Sequence, residues 1–411
     1  MAYIPPHKRH MKDTERPAPT PDLLVPQFKR NLNLGPSRSN FERRKDKHTM
    51  QDGKIIYADQ AISRWCAVGL TDDNQFPSSV CLEPISVEFI DRKTAEKPLA
   101  LVNSQLAKDN NEVRGDLLKS PWVSIAEILL QDLLSSFQNV RKDMDCEELE
   151  EVKTSLVAKS GKILFHGSPS VSQETLIKSL VGETSMRKLK RSFYTNVAAS
   201  YVENILGGVV PKIGIDFKEE KELYHVKLSD MSRPDATISC RCRVSKDRKL
   251  ELYKIELKPL RHLVIDISCL DKNLDLRLML STKRILTALT DNEKDIIDLI
   301  SSSVLDPDVK GGLRWPLGKE SSGDRYSVIG VWHIKAKAYK NSSMRLKVRD
   351  ADRFDFRTST GEVSREVTLK MTGILSQLKE QEVEISSLSD MLKDNFKMIW
   401  EHFLCGDGFS T

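Results

Sequence analysis

Long apolar runs are missing from this 411-residue chain. No window approaches the roughly 18 uninterrupted apolar residues that a helical membrane span needs. The first residues are polar and proline-rich, so the expectation is no secretory signal peptide. Cysteines are few, at 7, and only Cys240 and Cys242 stand close together. C-x-C is not a zinc spacing, and reduced thiols in the cytosol or nucleus are expected. There is no Walker A loop, G-x-S-x-G, H-E-x-x-H or C-x-x-C, so the standard phosphate-loop, hydrolase, zinc-protease and dithiol classes have no support. An RNP1 aromatic string and zinc-finger spacing are absent too. What the chain does have is 39% hydrophobic and 30% charged residues, enough apolar material for a folded core.

Charge is uneven. Residues 1–50 hold 11 Lys/Arg against 5 Asp/Glu, a local excess of 6, while the whole chain carries only +5. The same stretch contains 7 of the 17 prolines. With few periodic apolar positions it cannot offset its ordering entropy and reads as a disordered basic arm. Such an arm attracts polyanions, RNA among them.

The rest reads as α+β: an antiparallel sheet core with packed helices. Residues 51–145 form a β-rich segment followed by a helix that opens at Ser120-Pro121 and repeats Ile125, Leu129, Leu133 and Phe137 on one face. An acidic connector at 146–151 separates it from an α+β core at 152–372. Within that core, Lys162–Phe165 is a short strand, 184–204 reads as helical, and four strands lie between 222 and 268. Thr290-Asp-Asn-Glu293 matches a capping box. Residues 326–370 alternate apolar and polar positions as an antiparallel meander. Residues 373–411 form a C-terminal amphipathic helix, with Ile374, Leu378, Ile385, Leu388, Leu392 and Ile399 in helical register and polar Gln381 and Asn395 in the gaps.

Strand alternation in the meander sets Lys335, Lys337, Arg345, Lys347, Arg349, Arg353 and Arg357 on the solvent side. A sheet face rich in Lys/Arg can track a phosphate backbone, and these seven are the candidate nucleic-acid contacts. Asp271/Asp275 and Asp350/Asp352/Asp355 are the carboxylate groupings; interleaved arginines make ion pairing the simpler role for the second, and no metal or other cofactor is assigned.

Phe165-His166-Gly167-Ser168, followed by Ser192-Phe-Tyr194, resembles the His and Tyr segments of the ADP-ribosyltransferase family. That resemblance implies His166 positioning a ribose and Tyr194 stacking on nicotinamide. Met1-Ala-Tyr3-Ile-Pro5-Pro6-His7-Lys-Arg9 resembles an element in the N-terminal arms of some RNA-associated proteins, which implies partner binding through Tyr3, Pro5, Pro6, His7 and Arg9. Over most of its length the chain also resembles a plant family known only as a domain of unknown function. The stretches that carry this include Arg233-Pro-Asp-Ala-Thr-Ile-Ser239, 274–284, Gly311-Gly-Leu-Arg-Trp-Pro316 and Arg353-Phe-Asp-Phe-Arg357. The leading expectation is a cytoplasmic or nuclear binding or scaffold protein, RNA-associated through the arm and the basic sheet face. Two alternatives stand beside it: an ADP-ribosyltransferase-like enzyme or degenerate relative using His166 and Tyr194, and a protein-interaction module acting through the C-terminal helix.

Overall fold

In the computed structural model, the residues described are 56–68, 76, 79–86, 97–104, 120–145, 151–166, 186–187, 189–287, 289–290, 293–322 and 325–405. The basic arm and its Tyr3, Pro5, Pro6, His7 and Arg9 lie outside them.

The strands are β1 (Ile56–Val68), β2 (Val80–Pro84), β3 (Leu99–Asn103), β4 (Glu151–His166), β5 (Lys190–Tyr194), β6 (Asp216–Asp230), β7 (Arg233–Val244), β8 (Leu250–Cys269), β9 (Asp275–Leu286), the short β10 (Val304–Leu305), β11 (Leu313–Arg314) and β12 (Ser321–Ser322), then β13 (Tyr326–Lys340), β14 (Met344–Asp355) and β15 (Thr360–Met371). The helices are α1 (Pro121–Asp145), α2 (Ala199–Asn204, prolonged by a π turn at Ile205–Val209), α3 (Lys294–Ser301), α4 (Thr372–Lys379) and α5 (Ile385–His402). The class is α+β, dominated by its sheet.

The sheet closes. β4 pairs with β9, β9 with β8, β8 with β7, β7 with β6, β6 with β13, β13 with β14, β14 with β15, and β15 returns to β4, every pair antiparallel. That ring is an eight-stranded barrel. Closure gives every strand of the ring a partner on both sides, the usual remedy for exposed strand edges. β1 adds in parallel to the C-terminal half of β8. Beyond Gly161, β4 leaves the ring and pairs with β5 and β3, with β2 outside β3, forming a small flank.

The outer wall is apolar and is covered by helices. Leu156 and Ala158 of β4, Leu263, Ile265 and Ile267 of β8, Leu276, Leu278 and Leu280 of β9, and Leu346 and Val348 of β14 form one buried cluster. It also takes in Leu129, Leu133 and Phe137 of α1 and Leu388, Leu392 and Phe396 of α5. The apolar stripe of α5 is therefore used inside the fold. A second cluster under α3 takes Val226, Leu228, Cys240, Cys242 and Ile255, so the C-x-C pair is wall packing on one face of β7.

Several elements differ from the sequence reading. The strand at Lys162–Phe165 is the end of a sixteen-residue β4. The stretch read as a helix over 184–204 holds β5 and only the start of α2. The strands read at 250–257 and 262–267 are one β8, bulged where it passes β9. The C-terminal helix is broken between Lys379 and Ile385, where Gln381 sits. The capping box holds: Thr290 N and Oγ1 both donate to Glu293 Oε2 at 2.8 Å.

Gly161 marks the point where β4 changes neighbours. A Cβ there would lie 2.2 Å from the Tyr194 carbonyl oxygen and 2.8 Å from the Phe193 ring. The backbone neighbour cannot swing away without breaking the β4–β5 pairing. Gly161→Ala is expected to destabilise the chain by at least about 1–3 kcal/mol, the usual cost of overpacking, read as a lower denaturation midpoint with an unchanged m-value.

Candidate anion site in the barrel

Because even-numbered Met344, Leu346 and Val348 pack under the helices, the odd positions of β14 turn inward. Pairing carries this around the ring. Arg345, Lys347, Arg349 and Arg353 of β14 sit opposite Lys370, Thr368, Glu366 and Glu362 of β15. On the other side Lys347 faces Ala338, Arg349 faces Ala336 and Arg353 faces Trp332 of β13. β6 contributes His225, β7 contributes Arg241, β8 contributes Lys254 and Glu256, and β9 contributes Lys283. Small residues on β13, Ala336 and Ala338, stand beside the long cationic chains of β14.

The seven basic residues expected on one face do not share one. Arg345, Lys347, Arg349 and Arg353 point into the barrel. Lys335 pairs across from Asp350 and Glu222, and Lys337 across from Glu220, on the outer surface. Lys335 lies 3.9 Å from Glu222. Arg357 follows the end of β14 and holds Asp355 at 3.2 Å. The solvent-side placement is thus corrected for four of them. Period-two alternation fixed the two faces of each strand, but the register that aligns Ala336 with Arg349 decides which faces coincide.

Inside, the charges form linked pairs with a surplus of cations. Glu256 Oε2 accepts from Arg241 at 2.7 Å, and Glu256 Oε1 from Lys283 at 2.8 Å and Lys254 at 3.0 Å. Burial alone would raise the Glu256 pKa, but Arg241 and Lys283 hold it well below the ordinary carboxylate range. Glu366 accepts from Arg353 and from Thr195 Oγ1 (3.0 Å), with Arg349 at 3.6 Å. Glu219 takes Arg345 at 2.6 Å. Arg241 also meets His225, whose pKa falls well below its usual value through burial and then through Arg241, Arg349 and Lys347. Arg241, Lys254, Lys283, Arg345, Arg349 and Arg353 thus share Glu219, Glu256 and Glu366, with Lys221 also on Glu219 at 2.8 Å, and Lys370 and Glu362 stand on the same inner face. Lys347 has no ion pair among the described residues. Burial, then Arg349, Arg241 and Arg345, pull its pKa down to about 7. The Nε atoms of Arg241 and Arg345 are buried without a hydrogen-bond acceptor.

One end of the cluster is more open than the other. The side chain of Arg345 is 39% exposed and that of Arg353 8%. At the closed end Trp332 lies between Lys227, 3.9 Å from its ring centre, and Arg353, 4.8 Å away. Tyr194 reaches this end: its hydroxyl donates to Glu362 at 3.2 Å, and burial pushes its pKa up to about 12. His166 does not join it. Nε2 of His166 meets Ser192 Oγ at 2.7 Å. In the β4–β5 register His166 faces Lys190 while Tyr194 faces Lys162, four residues earlier. That separates the two by about 13 Å along the strands, so they do not converge on one cleft.

Among the described residues no three or more His, Cys, Asp and Glu side chains gather where they could hold a metal ion. Asp275 serves the backbone, accepting from Ile163 N at 2.9 Å and Cys269 N at 3.2 Å. Asp352 accepts from Gly311 N at 3.1 Å. Sequence reading missed Arg241, Lys254, Glu256, Lys283 and Trp332. Their signal was the same alternation, Ser239-Cys-Arg241-Cys and Lys254-Ile-Glu256, spread over strands whose adjacency only the closed ring supplies.

Residues 49–403 match a family described as a domain of unknown function, DUF7903. The chain belongs to this family. No curated protein matches it. Among solved structures it is similar to the S. pombe Pct1 RNA triphosphatase, at 11% identity and TM-score 0.40 over 72% of this chain and 96% of that one. The same enzyme in complex with the Spt5 CTD aligns at 12% identity and TM-score 0.41, over 71% of this chain and 97% of that one. A putative adenylate cyclase from Bacillus halodurans aligns at 9% identity and TM-score 0.24, over 53% and 91%.

The family member's interior makes two opposed stability predictions. Glu256→Gln strands three cations and is expected to cost about 3–5 kcal/mol, the cost of breaking a buried pair. Lys347→Met removes an uncompensated charge and should raise the unfolding midpoint. Its folded pKa lies below the unfolded value, so the penalty is complete below pH 7 and shrinks as the folded chain sheds that proton at higher pH. The gain of Lys347→Met over the parent should therefore be largest at or below pH 7 and smaller at pH 9, measured by denaturant titration.

Proposed function

We propose that this protein binds an oligophosphate group inside the barrel. The observation that carries the reading is Lys347, a half-buried amine with no ion pair among the described residues, beside Arg345, Arg349 and Arg241. Several phosphate oxygens would supply the missing charge, and guanidinium groups with unsatisfied Nε–H donors suit them in geometry. An eight-stranded interior admits one small ligand and no nucleic-acid duplex. Arg345, Lys347, Arg349 and Arg353 therefore act as an enclosed phosphate cradle, not as a plane for a backbone to lie across. An RNA-associated role, in the cytoplasm or nucleus, takes the form of holding a phosphorylated end, with the basic arm adding salt-sensitive affinity. Lys335, Lys337 and Arg357 then contribute to the outer field only.

Calorimetric titration of the full chain tests this with inorganic tripolyphosphate, ATP, and short RNA bearing a 5′-triphosphate or a 5′-hydroxyl. Tripolyphosphate should bind and raise the unfolding midpoint. ATP and 5′-triphosphate RNA reveal whether the group is taken free, on a nucleotide or on a chain end. Binding should weaken as pH rises from 7 to 9, because Lys347 must hold a proton to pair with the anion. The double variant Lys347→Met, Arg349→Met should lose at least about tenfold in affinity, the scale of one charge-assisted hydrogen bond. Equal affinity in parent and variant for every phosphate tested would overturn the reading.

A further inference from the structure

Side chains that point into the barrel are still reached by water. Arg349 is 29% exposed, Lys283 27% and Arg241 22%, against 8% for Arg353 at the closed end. The wall beside this group parts at β6. That strand pairs with β13 as far as Asp216, but its ladder with β7 begins only at Tyr224. Over 216–223 no strand among the described residues covers the other edge of β6. β7 ends at Val244 and the chain turns back as β8, with Arg243 and Glu251 paired at 3.3 Å near the tip. Backbone N–H and C=O groups alternate along an uncovered edge and are left for an outside partner.

Tyr253 stands on the far side of this parting. β8 bulges there: Arg241 pairs with Lys254 and Cys242 with Leu252, so Tyr253 is the extra residue. A bulge re-aims its side chain, and the charged groups acting on the Tyr253 hydroxyl are led by Arg241, Glu256 and Lys221. Arg241 and Glu256 belong to the interior cluster. Lys221 of β6 sits across from inward Ala336, 2.8 Å from Glu219. The tyrosine is nevertheless 36% exposed. An aromatic face open to water thus adjoins the enclosed cations on one side and an uncovered strand edge on the other.

We infer that this parting takes the base of a nucleotide whose phosphates occupy the barrel. The base stacks on Tyr253, and its hydrogen-bonding edge meets the uncovered backbone of β6. A nucleobase offers both surfaces the place calls for, a π face for the ring and a donor–acceptor edge for the strand. A peptide strand laid along β6 would satisfy the backbone alone. The placement of the phosphates rests on the oligophosphate reading, whereas the stack on Tyr253 does not.

The test is calorimetric titration of the full chain with inorganic tripolyphosphate, ATP and a short RNA bearing a 5′-triphosphate, in the parent, Tyr253→Ala and Tyr253→Phe. Tyr253→Ala should weaken ATP, the RNA or both by roughly five- to a hundredfold, the scale of one base stacked on an aromatic ring, and leave tripolyphosphate unchanged. Tyr253→Phe should keep the parent affinities, because the ring carries the stack. Loss with the RNA alone marks a chain end, loss with ATP alone a free nucleotide, and loss with both a base accepted in either form. In a chain that binds tripolyphosphate, equal losses for all three ligands, or none for ATP and the RNA, would overturn the base site alone. Tyr253-dependent nucleotide binding without tripolyphosphate binding would keep the base site and discard the oligophosphate reading. Failure of all three ligands to bind the parent would overturn both.

Discussion

The interior exists because β4 is paired on both sides, with β9 along eleven residue pairs and with β15 along three, Thr368–Lys159 to Lys370–Val157. The second seam is short, and the chain extends it by other means. Above it the segment after β5 takes over: Val197 N donates to the Arg365 carbonyl at 3.0 Å, and Asn196 Oδ1 accepts from Arg365 N at 2.8 Å. Without closure, the inward side chains of β14 would line an open sheet in water, and screening would reduce their mutual repulsion to little. Enclosed, they face one another across a lower dielectric, where an unmatched charge is costly.

Evolution of a stable core alone gives no reason for that arrangement. The outer wall is conventional: leucine, isoleucine and valine under α1, α3 and α5. The inner wall holds Glu256, gathering three cations, and two amines, Lys347 and Lys370, with no ion pair among the described residues. Charge surplus confined to an enclosed space is a common mark of a ligand site. On the proposed reading the phosphate is the missing partner, and the strain borne by Lys347 in its absence is the source of the affinity.

Much of this was readable from the chain, strand by strand. Alternation along 326–370 gave β13, β14 and β15 nearly to their ends, and the Ser120-Pro121 start gave α1. The unread portion was relational. In β13 the inward set is Trp332, Ile334, Ala336 and Ala338, and in β14 it is the basic set, so an apolar face of one strand adjoins a charged face of the next. No rule of amphipathic pattern anticipates that, because pattern arguments assume one wet face and one dry one. β9 went unassigned for a related reason: Asp275, Arg277 and Lys283 make it look polar, although they line the interior. The pair His166 and Tyr194 shows the converse. Proximity in sequence motif did not survive the register of β4 and β5, and Tyr194 instead joined the barrel through Glu362.

The origin of the inner charges along the chain has a kinetic consequence. Arg241 and Lys347 are more than a hundred residues apart in sequence and meet only when the ring is complete. Bringing β7 and β14 onto one enclosed interior therefore runs uphill in electrostatics while it runs downhill in burial. On the oligophosphate reading, a multivalent anion present at that moment would lower the barrier as well as stabilise the product. On that reading, refolding in sulfate or phosphate buffer and refolding in chloride are different reactions for this chain, with the anion acting as a template for the charged interior.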